Sequence, residues 1–290
     1  MGIIADALNE WLNPILREGI LDNIQGVFDS VNGKVTEISS LAGQTPQGWN
    51  LGVFALVKNI SDTVILPIAG MILSAVMAME MIQMILERNN AQETDTWMIF
   101  RWILRTTFAV FLVSNSWKIV MGFFDVGKYV VDKAAGIIHG SLTIDVAEKI
   151  DTISLTLQSA SLGKLFGIYL LTIAAKLSGA VIAIFVFIVI VGRIVEIYMV
   201  SSVAPLTLAT TMNRSWGNIG QNYIRLLLSL AFQGLLIMIA VAIYVQVIQE
   251  IPDDFSDVSS WLLTVLGYTA LLCFSLSKTG GLSKSLFGAH

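Results

Sequence analysis

The fold class this sequence predicts is an all-α integral membrane protein with five transmembrane helices. Three observations predict it. Of 290 residues, 55% are hydrophobic and only 13% are charged, where a soluble domain carries about 25% charge. Mean hydropathy is +0.76. The apolar residues also gather into stretches near the roughly 20 residues a helix needs to cross hydrocarbon. These stretches are residues 63–86, 98–124, 165–192, 223–249 and 259–277.

Residues 1–60 read as an N-terminal amphipathic helical region. Ile3, Ile4, Ala7, Leu8, Trp11, Leu12, Ile15 and Leu16 recur at helical spacing. The pattern restarts after Pro14, a favoured first-turn residue, with Ile20, Ile24, Val27, Phe28, Val31, Val35 and Ile38. Such a helix lies either on the membrane surface or on a partner. Asp6 and Glu10 among the apolar positions, without a basic start, argue against a cleaved signal peptide.

The polytopic membrane domain then occupies residues 61–278, with a short cytoplasmic tail over 279–290. Its outer loop is 125–164, which mixes Lys128, Lys133, Lys149 and Lys164 with Asp125, Asp132, Asp145, Glu148 and Asp151. A sixth apolar piece, 197–212, is short and broken by Pro205, as a re-entrant or in-plane half-helix would be. Placing Arg88, Arg101, Arg105, Arg193, Arg214, Arg225, Lys278 and Lys284 at the inner face satisfies the positive-inside rule. The N-terminus is then outside and the C-terminus inside, in the plasma membrane. That parity allows residues 165–212 only one net crossing. Irregular backbone at membrane depth survives only against protein or water, so the broken piece is expected to be sheltered.

Polar residues in the spans carry the functional reading, because charge facing lipid costs several kcal/mol. Arg193 and Glu196 are three apart on one helical face and can pair within the helix, as a structural pair or as part of a conduction path. Lys176 lies inside the third span, either lumen-facing or snorkelling outward. Gln233 suits a bond between helices. Glu80, near its span end, suits snorkelling. Gly163, Gly167, Ala175, Gly179 and Ala183 form a small-residue stripe for helix packing, within the chain or between subunits. A net charge of -4 offers no global basic field for nucleic acid. Cys273, the one cysteine, excludes an internal disulfide, and the histidines have no metal-ligand spacing. No phosphate loop, acid–base carboxylate pair or serine–histidine arrangement is present, so the chain is expected not to be an enzyme and to need no cofactor or metal.

Arg193-x-x-Glu196, Ala204-Pro205-Leu206, Trp216-Gly217, Gly220-Gln221-Asn222-Tyr223-Ile224-Arg225 and Phe232-Gln233-Gly234 together resemble a known family. It is the TrbL-type polytopic inner-membrane subunit of conjugative type IV secretion systems, the sixth subunit in the VirB naming. The flavour it most resembles is that of Gram-positive integrative and conjugative elements. The resemblance is strongest over residues 190–250. It implies a non-enzymatic channel or scaffold subunit that helps move single-stranded DNA and protein during conjugation. The implied partners are other secretion subunits, membrane lipids and copies of itself in a ring, of five in that family. Carried onto this sequence, Pro205 breaks the third-span helix, and Trp216 with Arg225 frames the cytoplasmic start of the fourth span. Lys176, Arg193, Glu196, Arg214, Arg225 and Gln233 are the candidate lumen or substrate-path residues. Two further readings remain open from the residues: a small-solute transporter with a broken helix, and a purely structural membrane anchor.

Overall fold

A computed structural model describes residues 2–86, 96–138, 144, 147–211, 217–252 and 257–289. Among these the chain is helical, in the order α1 (Gly2–Ala42), α2 (Pro46–Trp49), α3 (Leu51–Ile60), a π-helical turn (Ser61–Ile65), α4 (Leu66–Leu86), α5 (Thr96–Ser114), α6 (Ser116–Ile138), α7 (Ala147–Gln158), α8 (Leu162–Ser202), α9 (Ala204–Ala209), α10 (Gly217–Gln249) and α11 (Val258–Phe287). Five helical segments among the described residues are long and apolar enough to cross a membrane: Leu51–Leu86, Thr96–Ser114, Leu162–Ser202, Gly217–Gln249 and Val258–Phe287.

Several bounds differ from the apolar runs. The first segment starts at Leu51 because Asn50 caps α3, accepting from the Val53 N–H at 3.0 Å. The second ends at Ser114, where Ser114-Asn115-Ser116 places three short polar side chains in succession. The Asn115 amide donates to the Phe111 carbonyl at 3.0 Å, competing with the helical ladder. Much of the polar stretch 125–164 is helix, in α6 and α7. Pro14 does not restart α1, which runs through it unbroken. Residues 197–202 continue α8, so the separate piece after the break is only α9.

The chain divides into two compact units. The first comprises residues 1–42, 133–190 and 237–278; the second comprises 43–132, 191–236 and 279–290. In the first, α1 buries Ile20, Ile24, Val27, Phe28, Val35 and Ile38, and the Phe28 ring lies 5.8 Å from that of Trp261. α11 starts there at Asp257, whose carboxylate accepts from the Ser259 N–H at 3.2 Å and the Ser260 hydroxyl at 2.7 Å. The Ser260 hydrogen bond, helped by that N–H and by Lys164, holds this exposed carboxyl below the usual carboxylate range.

In the second unit the core joins Ala69, Leu73, Val76 and Met77 of α4 to Ala109 and Val113 of α5, Leu208 of α9 and Leu227 of α10. α6 approaches α10 so closely at Gly127 that an added Cβ would sit 2.6 Å from the Ala231 carbonyl oxygen. Only a hydrogen on that Cα allows the two backbones to meet.

Two outcomes follow from this packing. Gly127→Ala should cost about 1–3 kcal/mol through overpacking, read as a fall in thermal unfolding temperature in mild detergent. Gly122→Ala on the same helix, where an added Cβ meets nothing within 4 Å, should leave that temperature unchanged. The depressed Asp257 pKa means its cap stabilises α11 above the ordinary carboxylate range and is lost as pH falls through its own lower value. The exchange protection factors of Ser259 and Ser260, taken against the unstructured peptide at the same pH, should therefore fall on acidification, and Asp257→Ala should show the low protection already at neutral pH.

Candidate functional site: the polar seam beside the broken helix

The break is set by Pro205. Proline has no N–H to donate and its ring crowds the carbonyl four residues back; α1 absorbs this at Pro14, but here the chain breaks. Val203 takes φ -94 and ψ 7, and Pro205 opens α9 as a first-turn residue. Neighbouring side chains satisfy the freed backbone. The Tyr223 hydroxyl donates to the Val200 carbonyl at 3.0 Å, and the Thr207 hydroxyl donates to the Ala204 carbonyl at 3.0 Å. Ala204, Pro205, Leu208 and Ala209 are all buried within the second unit. The broken piece is sheltered by polypeptide, chiefly α4 and α5.

The chain after the break returns onto the first turn of α10 through two glycines. A Cβ on Gly220 would lie 2.9 Å from Thr211 Cα, and one on Gly217 would lie 3.2 Å from the Thr211 carbonyl oxygen. Both motif glycines are therefore close-approach positions. Gln221 is exposed and Asn222 half-buried on the same turn. Arg214 and Trp216 fall outside the described residues.

A seam of polar groups runs along α10 beside this break. The Gln233 amide donates to the Thr279 hydroxyl at 3.4 Å, the Ser283 hydroxyl to the Ser229 carbonyl at 2.6 Å, and the Arg225 guanidinium to the Gly288 carbonyl at 3.4 Å. Residues 225, 229 and 233 stand four apart, so they share one face of α10. Gly288 ends α11 in the left-handed region, φ 61. The Ala289 N–H reaches the Lys284 carbonyl at 2.9 Å and the Gly288 N–H reaches that of Ser285 at 3.2 Å. That pair of bonds is a Schellman cap, which glycine adopts without steric cost.

Arg193 is 5% exposed and donates from Nη2 to the Leu230 carbonyl at 3.1 Å. Glu196 accepts from Lys284 Nζ at 2.6 Å. The sequence placed Arg193 and Glu196 on one helical face; the structure gives them a carbonyl of α10 and a lysine of α11 as partners. Arg193, Glu196, Arg225 and Gln233 thus share the second unit. Lys176 belongs to the first, where it is exposed and its ammonium stands 3.5 Å from Asn23 Oδ1. Glu80 does not snorkel: it is 1% exposed and holds Arg105 at 2.9 Å, because its face of α4 turns inward against α5. Added Cβ atoms on Gly163, Gly167 and Gly179 meet nothing within 4 Å, although Ala175 is fully buried. Ser229 and Ser283 were missed, and Tyr223, quoted in the motif, and Lys284, placed at the inner face, were given no partner. A signal was present in Thr279, Ser283 and Phe287, which recur four apart beyond the last apolar run.

These features define a polytopic, all-α membrane protein whose polar residues are concentrated at one broken helix. A family model described as TrbL/VirB6 plasmid conjugal transfer like protein matches residues 31–205. The match covers more than half of the chain, and the chain belongs to this family. It overlaps the 190–250 motifs only at its end. Searches of curated proteins and of solved structures give no match.

The seam separates two kinds of contact by burial. Arg193→Ala should cost about 2–4 kcal/mol, because it empties a buried volume and removes a donor from a carbonyl. Lys284→Ala breaks a pair roughly a third exposed on each side and should cost about 0.2–1 kcal/mol. Unfolding in detergent ranks the two variants.

Proposed function

We propose that this conjugal-transfer membrane protein is a conduit subunit of a type IV secretion machine, assembled as a ring with copies of itself and with other secretion subunits. Its substrates are single-stranded DNA and accompanying protein. The supporting observation is the sheltered helix break with its cationic seam, Arg193, Arg225 and Lys284, in a chain of this family. Cations along a path suit a polyanionic strand. A ring of about five copies would multiply the few that one chain carries. The N-terminus lies outside and the C-terminus inside the plasma membrane, which puts Arg214 and Arg225 at the cytoplasmic side where substrate arrives. Lys176, Arg193, Glu196, Arg214, Arg225 and Gln233 are the proposed path and path-supporting residues. A transporter reading wants a broken helix opening on a solute cavity, whereas Pro205, Leu208 and Ala209 fill a core.

Arg225 is exposed and its one long bond leaves the fold largely independent of it. Arg225→Glu and Arg214→Glu should each lower conjugative transfer by about tenfold or more, because polyanion contacts add across a ring. The amount of protein in the membrane should stay the same. Unchanged transfer with intact protein would refute a path role for these positions.

A further inference from the structure

In the first unit α1 runs parallel to α8 and in register with it. The Arg17 guanidinium donates to the Gln158 carbonyl at 2.9 Å, just before α8 starts. Gly19 faces the Tyr169 ring, the Asn23 amide donates to the Thr172 hydroxyl at 3.3 Å, and Gly26 faces the Lys176 side chain. Val35 and Ile38 then meet Val186 along a small apolar cleft. Residues 19–38 of α1 therefore lie level with 169–186 of α8.

At that level the two helices present opposite chemistry outward. α8 exposes Leu177 (67%), Val181 (67%), Ile184 (63%) and Ile188 (60%), and Ile243 of α10 and Leu271 of α11 are also exposed. The exposed positions of α1 between residues 17 and 42 are Glu18, Asp22, Gln25, Asp29, Ser30, Gly33, Thr36 and Ser40. None carries an apolar side chain. Their steps of three and four residues put most of them on a single stripe.

Helix faces as apolar as those of α8 suit lipid, but carboxylates at the same depth do not. Asp29 of the stripe and the half-buried Lys34–Glu37 ion pair beside it fall within that depth. A second observation lies at the boundary. Lys176, a cation on an otherwise apolar helix, turns to α1, with its ammonium 3.5 Å from Asn23 Oδ1. The unit's polar groups thus gather on one side and its apolar groups on the others.

We propose that the polar stripe of α1, with Lys176 at its edge, faces a water-filled passage at the depth of the third span, while α8, α10 and α11 face lipid. This deepens the conduit reading and rests on it. It assigns to the N-terminal helix a wall of the passage, at a place where the sequence alone suggested a helix lying flat on a surface.

Single cysteines test it in a Cys273→Ala background, in cells carrying the complete transfer machine. Asp29→Cys, Thr36→Cys and Ser40→Cys report on α1; Val181→Cys, Ile184→Cys and Ile188→Cys report on α8 at the same level. A membrane-impermeant, charged maleimide is applied to intact cells and to inverted vesicles, and an uncharged permeable maleimide confirms that each thiol is present and folded in place. The α1 positions should label with the charged reagent at least about tenfold faster than the α8 positions, since reaction needs a hydrated thiolate. Protection of α1 from the charged reagent overturns the proposal, whether a second copy or lipid covers it. Equal labelling of both sets overturns it too, since the unit would then stand outside the bilayer. Labelling is read whether or not transfer occurs, so its failure is distinct from a failure of the arginine variants to affect transfer.

Discussion

A helix that stops within a packed apolar core needs donors for its last carbonyls, because little water reaches them there. α8 stops at Ser202, and much of the second unit can be understood as the solution to that problem. Tyr223 reaches back from α10 to Val200, and Thr207 and Thr210 bond to carbonyls of their own short helix. α4 and α5 cover the apolar side of α9. Glycines at 217 and 220 then let the returning chain lie close to Thr211. Each of these residues would be an oddity elsewhere. Around one proline they are mutually dependent.

The same constraint explains why the seam is polar. Lipid tails are as apolar as leucine, so apolar burial gives helices little reason to choose one register over another. Directional bonds do. Gln233 to Thr279, Ser283 to the Ser229 carbonyl and Lys284 to Glu196 hold the end of α11 against α10 and α8 at defined positions. Arg193 adds a bond that hydrophobic contact could not supply, using a carbonyl of α10 that has a spare lone pair. Its burial makes the bond costly to lose, in contrast to the half-solvated lysine pair.

Fold class and helix positions were legible because they depend on sums over many residues. Long apolar runs mark crossing helices whatever their partners, and Pro205 breaks a helix through its own covalent structure. Helix ends were less legible. Asn50 lengthens the first segment by capping, and residues 279–287 continue α11 although they are too polar to read as membrane helix. Partners were hardly legible at all. Arg193 and Glu196 stand three apart and invite pairing, yet Lys284, 88 residues away, completes the site. Glu80 looked close enough to its helix end to reach water, but which way it faces is decided by α5. The glycine stripe of α8 shows the converse: small residues permit close packing, and at Gly163, Gly167 and Gly179 an added Cβ would meet no atom of the described residues within 4 Å.

The family match ends at Pro205, and that boundary carries an argument of its own. What the match encloses is the later part of α1, the first two crossing segments, α6, α7, the long α8 and its break. α10 and α11 lie beyond it, yet they supply Tyr223, Leu230 and Lys284, which bond Val200, Arg193 and Glu196 of α8. The motifs that first suggested the family lie mostly on that other side. The matched stretch and the motifs therefore occupy nearly separate parts of the chain, which meet where Tyr223 bonds Val200 and Leu230 receives Arg193. A broken helix and the surface that satisfies it cannot vary independently, since a donor lost from either side leaves a bare carbonyl in a medium that offers no replacement.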